Sequence, residues 1–462
     1  MLIPGMPTGL LDLLHTPQRG LGASQAGLAT VAHNIANAAT PGFTRRELML
    51  GPLDPLRGVD ATGHRRSVDR HLGGQIVGQS ARDAYARARE PWLSEVESIV
   101  GDLGPDGLGA VLDGLFGSFR GLAASPDDPA ARQETLARAD DLAAHMRRVA
   151  AQLGDLAGTA DRRLREEVAG VNDLLGEVAR LNRDIRVAEA SGGDAGDLRD
   201  LRERAVRTLG ERVGMRALDD GRGGVIVLVG GWRVVQDDGA EALVAVPDPG
   251  TGFARIEIAG PLSADVTRDL GGVMGAHVNL RDTEVPSRMT TLDSLAWDIA
   301  TSLNARHAAG FGLDGLGGRN LFTPPAGVAG AAAALTVDAA VAQDPDALAA
   351  ALDPSGVPGD GRNALELADL EDEDLALGGT ATLSEALGLL QAQAGQAARQ
   401  GHASAQREGD RLAQLDALRD SISGVDVQEQ LMWMSRYQRA YEASARVIAT
   451  LDEMLDTLVN LR

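Results

Sequence analysis

Large apolar residues recur every seven positions near the start of the chain, at Leu14, Leu21, Leu28 and Ile35, with Val31 beside them. That spacing places one apolar stripe on a helix. Thr16-Pro17 has the form of an N-cap followed by a first-turn proline, so the pattern predicts a helix starting there and a separate short turn over residues 9–14. The other end of the chain repeats the pattern. Asp426 and Glu429 have capping-box spacing, and two heptad positions follow: Met434, Tyr441, Ile448 and Leu455, then Tyr437, Ser444, Leu451 and Leu458. This predicts a coiled-coil seam on a helix of about 54 Å. Isolated helices are marginal in water, so both terminal helices are expected to order against neighbouring subunits.

Between the ends, Asp128-Pro129 opens a run with Leu142, Met146, Val149, Leu153 and Leu156, then Leu164, Val168, Val171, Leu175 and Val178. Alternating steps of three and four predict long helices, with Gly154 and Gly158 as joints and SGGDAG (191–196) as a loop. The pattern then changes to short apolar runs, VIVLV, WRVV and ARIEIA, separated by glycine turns, which predict strands. Helical spacing returns at Leu292, Leu295, Ile299 and Leu303 and again from Leu383 to Leu418, while 324–381 carries no clear period. The expected fold class is mainly α with a small β domain: a terminal α-helical coiled coil, a long-helix bundle body and an inserted all-β domain. The expected boundaries are 1–60 and 424–462 for the terminal helices, 61–212 and 263–423 for the helical body, and 213–262 for the β insertion.

Composition narrows the chemistry. The 462 residues carry a net charge of -22, and the 44 basic residues are all arginine. Without a cluster of positive charge, nucleic acid is not expected as a partner. No cysteine is present, which removes disulfides, thiolate nucleophiles and cysteine-ligated metals. No stretch reaches the ~20 apolar residues of a membrane span, and the first 30 residues lack a basic region followed by an apolar core, so neither membrane insertion nor a cleaved signal peptide is expected. The eight histidines form no metal-binding spacing, the glycine-rich 101–109 and 219–224 lack the Lys-Ser/Thr of a phosphate loop, and no carboxylate pair is marked out for acid/base work. No catalytic residue, cofactor or metal is expected.

HNIANAATPGFTRR (33–46) ends the first helix abruptly. Thr40-Pro41-Gly42-Phe43 has the residues of a type II turn, which needs a positive φ at its third position. Asn34 and Asn37 stand where the helix stops, and asparagine tolerates a left-handed C-cap. Helix punctuation alone would account for these residues; a device that fixes register is the sharper reading.

These residues carry a resemblance. HNIANAATPGFTRR resembles the N-terminal signature of the bacterial flagellar axial proteins of rod, hook and junction, and RYQRAYEASARVIATLDEMLDTLVNL resembles their C-terminal one. FGSFRGLAASPDDPAARQETLARADDLA (116–143), DLRDLRERAVRTLGERV (197–213), GGVMGAHVNLRD (271–282) and LDSLAWDIATSLNARHAAGFGLDGLGGRNLF (292–322) are similar to hook-associated protein 1, the first junction protein between hook and filament. The resemblance implies a structural subunit that self-associates in a helical ring. It also implies hook protein and the next junction protein as neighbours, and an export chaperone on the C-terminal helix. It further implies type III export without a cleaved signal peptide, to the extracellular flagellum. The implied assembly interface comprises Leu21, Leu28, Val31, Asn34, Ile35, Asn37, Pro41, Gly42, Phe43, Met434, Tyr437, Tyr441, Ile448, Leu451, Leu455 and Leu458. Another axial protein, a hook or distal rod subunit, is the alternative, and a rod-associated wall hydrolase a weaker one. Three departures stand out: Pro17 lies early in the first helix, the β insertion is short, which implies a reduced outer domain, and the Asp-Gln-Arg-Asp core usual in the family reads Asp200-Leu201-Arg202-Glu203 here.

Overall fold

Helix α1 (Leu10–Ala36) runs through Pro17 without a break, so the start expected at Thr16 is corrected. Pro17 forfeits one backbone hydrogen bond, but its ring is buried, and Thr16 lies beside Gly58 of the segment that follows. Tertiary packing therefore carries the helix past its own start signal. The computed structural model describes residues 10–52, 58–101, 104, 107–260 and 263–460.

Strands β1 (Arg46–Pro52) and β2 (Val59–Arg66) form an antiparallel hairpin with a bulge between Met49 and Leu50. This hairpin straddles the boundary expected at residue 60, where only helical material was anticipated. Its second strand is exposed along nearly all its length, so it lacks the apolar alternation by which a strand is read.

Four helices follow: α2 (Arg70–Val100), α3 (Leu108–Ala124), α4 (Pro129–Ala190) and α5 (Gly196–Val213). The start of α4 is as expected, with the Asp128 side chain accepting from the Ala130 N–H and Pro129 in the first turn. Its interior is not: α4 continues for 62 residues, and neither Gly154 nor Gly158 is a joint. Leu153, Ala157, Ala160 and Leu164 are buried across that stretch. Each helical glycine costs about 1 kcal/mol, less than the ~1.5–3 kcal/mol from burying one such leucine.

Two cores share α4. Its first half packs with Trp92 and Val96 of α2, Phe116 and Phe119 of α3, and leucines of the later helices. Its second half, from Leu164 to Val178, packs with Leu209 and Val213 of α5 and with the β insertion.

That insertion comprises β3 (Arg216–Asp219), β4 (Val225–Val229), β5 (Trp232–Gln236) and β6 (Gly239–Ala240) in one antiparallel sheet, in chain order. A second sheet contains β7 (Leu243–Pro247), β8 (Ala254–Ile258) and β9 (Ala264–Asp265). The insertion therefore reaches past residue 262, and it is not a separate domain. Val227, Val229 and Ile256 belong to the core of α4 and α5, because sheets this small cannot bury an apolar face alone. Side chains of α4 also pin the strands. Asn172 and Asn182 each exchange two hydrogen bonds with the backbone of Leu243 and Val225, at 2.8–3.0 Å.

Helix α6 (Gly272–Asn279) passes through a π-helical turn (Leu280–Glu284) into α7 (Val285–Ala309). Residues 324–381 contain the short helices α8 (Ala331–Ala334), α9 (Ala339–Ala342) and α10 (Arg362–Asp369). Helix α11 (Leu383–Ser423) opens with a full capping box of Thr382 and Glu385, and α12 (Val427–Asn460) ends the described chain.

Candidate assembly interface

The two terminal helices pair with each other, antiparallel and in heptad register. Three contacts define the register. A β-carbon at Gly20 would meet Ser444 at 3.0 Å, one at Gly27 would meet the Tyr437 ring at 2.5 Å, and Asn34 Nδ2 donates to Gln430 Oε1 at 2.9 Å. Each step of seven up α1 matches a step of seven down α12. Small residues on α1 admit the larger ones of α12, so the helices approach closely.

The α12 seam is as the heptad predicts. Met434, Tyr437, Tyr441, Ser444, Ile448, Leu451 and Leu455 are each half-buried, while the residues between them are exposed. The Leu458 side chain lies outside the described residues, as does that of Leu14.

The α1 seam differs from expectation. Its buried face carries Ala23, Ser24, Gly27, Thr30, Val31 and Asn34, whereas Leu21, Leu28 and Ile35 flank it and are only half-buried. Close packing selects the small residues for the helix contact, which turns the larger ones toward the open side. A second bare stripe lies on α12, where Trp433, Ala440, Val447 and Met454 are exposed at heptad spacing. Leu431 and Met432 are exposed next to it.

The opening turn has the expected form. Gly42 has φ +80°, and the Phe43 N–H donates to the Thr40 carbonyl at 3.1 Å. The Phe43 ring packs on His33, with ring centres 5.4 Å apart. The asparagines act otherwise than expected, since neither has a positive φ. Asn34 is almost wholly buried and exchanges two hydrogen bonds with the backbone of Arg46, at 2.9 and 3.0 Å, besides its bond to Gln430. It therefore fastens α1, the hairpin and α12 at one point. Asn37 donates from its side chain to the His33 carbonyl at 3.0 Å, which closes the last helical turn.

At the start of α12, the Asp426 carboxylate accepts from the N–H groups of Gln428 and Glu429, at 2.8 and 3.2 Å. Glu429 reaches Arg45 at 3.0 Å and the Trp433 indole at 3.4 Å.

Four carboxylates spaced three apart, Asp194, Asp197, Asp200 and Glu203, receive the basic side chains of α1 and the hairpin. Arg46 pairs with Asp194 and Asp197, and Arg66 pairs with Asp200 and, at 2.8 Å, with Glu203. Burial pushes the Asp200 carboxyl above the ordinary carboxylate value, against the pull of Arg66 and of Thr44. For Arg66, burial favours the neutral form but is outweighed by Glu203 and Asp200, so its guanidinium stays above its ordinary value. Arg202 turns inward to Asn182 and the Gly223 carbonyl, and burial lowers it to about 10. Leu201, in the place of the family's glutamine, points outward. The departure thus falls on an exposed position of α5. Sequence reading missed the acidic series and the glycines at 20 and 27, although a three-residue and a seven-residue spacing marked them.

Among the described residues no group of three or more His, Asp or Glu is placed to hold a metal ion, and no helix is long and apolar enough to cross a membrane.

Three family models match separate stretches of the chain, one near each end and one in the middle. Residues 14–44 match a flagella basal body rod protein model, and 419–461 match the C-terminal model of the flagellar basal body rod FlgEFG proteins. Residues 93–322 match the helical domain of flagellar hook-associated protein FlgK. The chain belongs to the hook-associated protein 1 family. It is 24% identical to flagellar hook-associated protein 1 of Salmonella typhimurium over 98% of this chain and 100% of that protein. Its identity to the Bacillus subtilis protein of the same name is 25%, over 97% of each. The structure of the flagellar hook junction protein FlgK from Burkholderia pseudomallei matches with a TM-score of 0.67 at 17% identity, covering 76% of this chain and 100% of that one. At that identity the structural likeness is one of fold. As a member of the hook-associated protein 1 family, the chain is a structural component of the flagellum, whose axial proteins assemble with one another.

Proposed function

We propose that this chain joins hook to filament as a non-catalytic subunit, and that its paired terminal helices are the assembly element. The observation that carries this reading is the unequal covering of the pair. One heptad stripe of α12 is half-covered by α1, while the stripe of Trp433, Val447 and Met454 beside it is bare. Exposed apolar area of this extent on a helix pair marks a contact surface. Leu21, Leu28 and Ile35 supply the complementary open side of α1, so a neighbouring copy can be seated on each pair. A head-to-tail contact of this kind does not close on itself and builds a helical array.

In this reading the pairs form an inner layer with the helical and β layers outside, and Asn34, Asn37, Pro41, Gly42 and Phe43 fix where the chain leaves that layer. Hook protein and the next junction protein are the axial neighbours. Before assembly, the bare α12 stripe is the segment an export chaperone covers, and export through the flagellar type III apparatus needs no cleaved signal.

Deletion of the gene tests the role. Hooks without filaments, with monomeric flagellin in the medium, are expected by electron microscopy and assay of the supernatant. Absent hooks would move the protein into rod or hook, and normal filaments would remove it from the junction.

A further inference from the structure

We propose that the helix pair is joined to the body by a hinge with a compact pivot and a separate ionic latch, so that salt controls the angle between them. The inference rests on the assembly reading above only for its purpose; the geometry is that of one chain.

Neither hydrophobic core contains a residue of α1, the hairpin or α12 among those described. The chain crosses between the two parts at Ser67–Asp69 and again at Ser423–Asp426. These crossings are stitched together through one residue. The Arg45 N–H donates to the Ser423 carbonyl at 2.9 Å, the Ser67 N–H donates to the Arg45 carbonyl at 3.0 Å, and Ser67 Oγ donates to the Ile422 carbonyl at 3.1 Å. Three short bonds within so small a region fix a point and leave direction free.

Direction is set elsewhere, by charge, with two contacts to the backbone beside it: Arg419 of α11 donates to the Phe43 carbonyl at 3.4 Å, and the Thr44 N–H donates to Asp200 Oδ2 at 3.3 Å. On the helix-pair side stand His33, Arg46, His64 and Arg66; on the body side stand Asp194, Asp197, Asp200 and Glu203. His33 lies 3.4 Å from Asp197 and His64 lies 3.4 Å from Asp194, beside the arginine pairs already described. In the arginine pairs the guanidinium belongs to one part and the carboxylate to the other, so their attraction acts across the joint rather than within either part. The Arg66–Asp200 pair is buried, while Asp197 is largely exposed. The outer pairs are therefore open to screening by salt.

The joint also has room to move. A cleft of about 1340 Å³ separates Met49, Ala61 and Gly63 of the hairpin from Gly73 and Gly74 of α2 and Leu218 of β3. A β-carbon on Gly63, Gly73 or Gly74 would meet nothing within 4 Å.

Because the chain has no cysteine, two spin labels can be placed at will on the full-length protein. Ala151→Cys with Ala443→Cys spans body and helix pair; Gln18→Cys with Ala443→Cys lies within the pair and serves as control. At low salt both label pairs should give a narrow distance distribution. At about 1 M sodium chloride, where the Debye length falls to ~3 Å, the spanning distance should lose its single narrow peak while the control keeps it. The Asp194→Asn/Asp197→Asn/Asp200→Asn chain should show the same loss already at low salt. An unchanged spanning distance in high salt and in that variant would overturn the hinge. So would a control distance that broadens in any of these conditions, since the helix pair itself would then have come apart.

Discussion

The Tyr437 ring closes over Gly27 so tightly that a β-carbon there would stand 2.5 Å from the ring. Glycine at 27 is thus required by the partner helix, because the backbone around it is ordinary α-helix. Gly27→Ala should push the Tyr437 ring or the helix aside at about 1–3 kcal/mol for overpacking, offset by about 1 kcal/mol of helix propensity gained by alanine over glycine. Adding Tyr437→Ala should restore part of the loss. Thermal unfolding of the single and double variants, with filament counts in a complemented deletion strain, would check this; parental behaviour of the single variant would refute the close contact.

Asn34 fastens three elements by hydrogen bonds, and Asn34→Ala would strand the Arg46 backbone groups and Gln430. Leaving buried polar groups without partners costs about 1–3 kcal/mol. Hydrogen exchange at the Arg46 amide should accelerate, with little change in α4. Unchanged protection at Arg46 would mean that the hairpin is held by its other contacts.

Gly42 holds a φ of +80°, and a β-carbon there would come within 2.7 Å of the Arg204 side chain. Gly42→Val combines backbone strain with that clash. The expected result is a normal level of exported protein but fewer attached filaments. Equal filament numbers in variant and parent would count against a register function for the turn.

Leu455→Asp places a charge on the half-covered seam, far from either core. Assembly should fail while the cooperative melting of the body stays as in the parent, which calorimetry of the purified chain can read. A lost body transition would show that α12 supports the fold and not only the contact surface.

Two histidines make stability depend on pH. Burial lowers both His277 and His307 to about 4. His307 uses both ring nitrogens, Nδ1 donating to the Arg319 carbonyl at 2.7 Å and Nε2 accepting from the Ala349 N–H at 3.0 Å. His277 Nδ1 accepts from the Trp92 indole at 3.2 Å. The unfolded chain takes up these protons near pH 6.5 and the folded chain only near 4, so stability is full above 6.5 and falls as pH drops toward 4. For His307 the complete loss is about 3 kcal/mol. Denaturant midpoints at about pH 7 and pH 5 should converge in the His277→Gln/His307→Gln chain. Equal pH dependence in that chain and the parent would assign the effect to other groups.

Where a local signal and the tertiary demand coincide, the sequence is readable. Asp128-Pro129 starts α4, the turn at Thr40–Phe43 has the backbone its residues require, and the apolar runs at 225–229, 232–236 and 254–258 are strands. The failures have the opposite cause. Pro17, Gly154 and Gly158 are local breakers overruled by burial on both sides. The hairpin at 46–66 has too little buried surface to leave a pattern. On α1, the largest apolar residues attract notice as the seam, but the contact belongs to Gly20, Gly27 and Asn34, whose small or polar side chains register only once α12 is laid against them. The acidic series from Asp194 to Glu203 reads as solvated charge until the arginines that face it are placed.

Helix α4 contributes its first half to one core and its second half to the other, with no loop between them. At 1.5 Å per residue it is a column of about 93 Å. Twist or pull applied at either core passes to the other through consecutive backbone hydrogen bonds, and an elastic linker is nowhere in the path. If the proposed joint beside Arg45 turns, the compliance of the subunit lies there and not along this column.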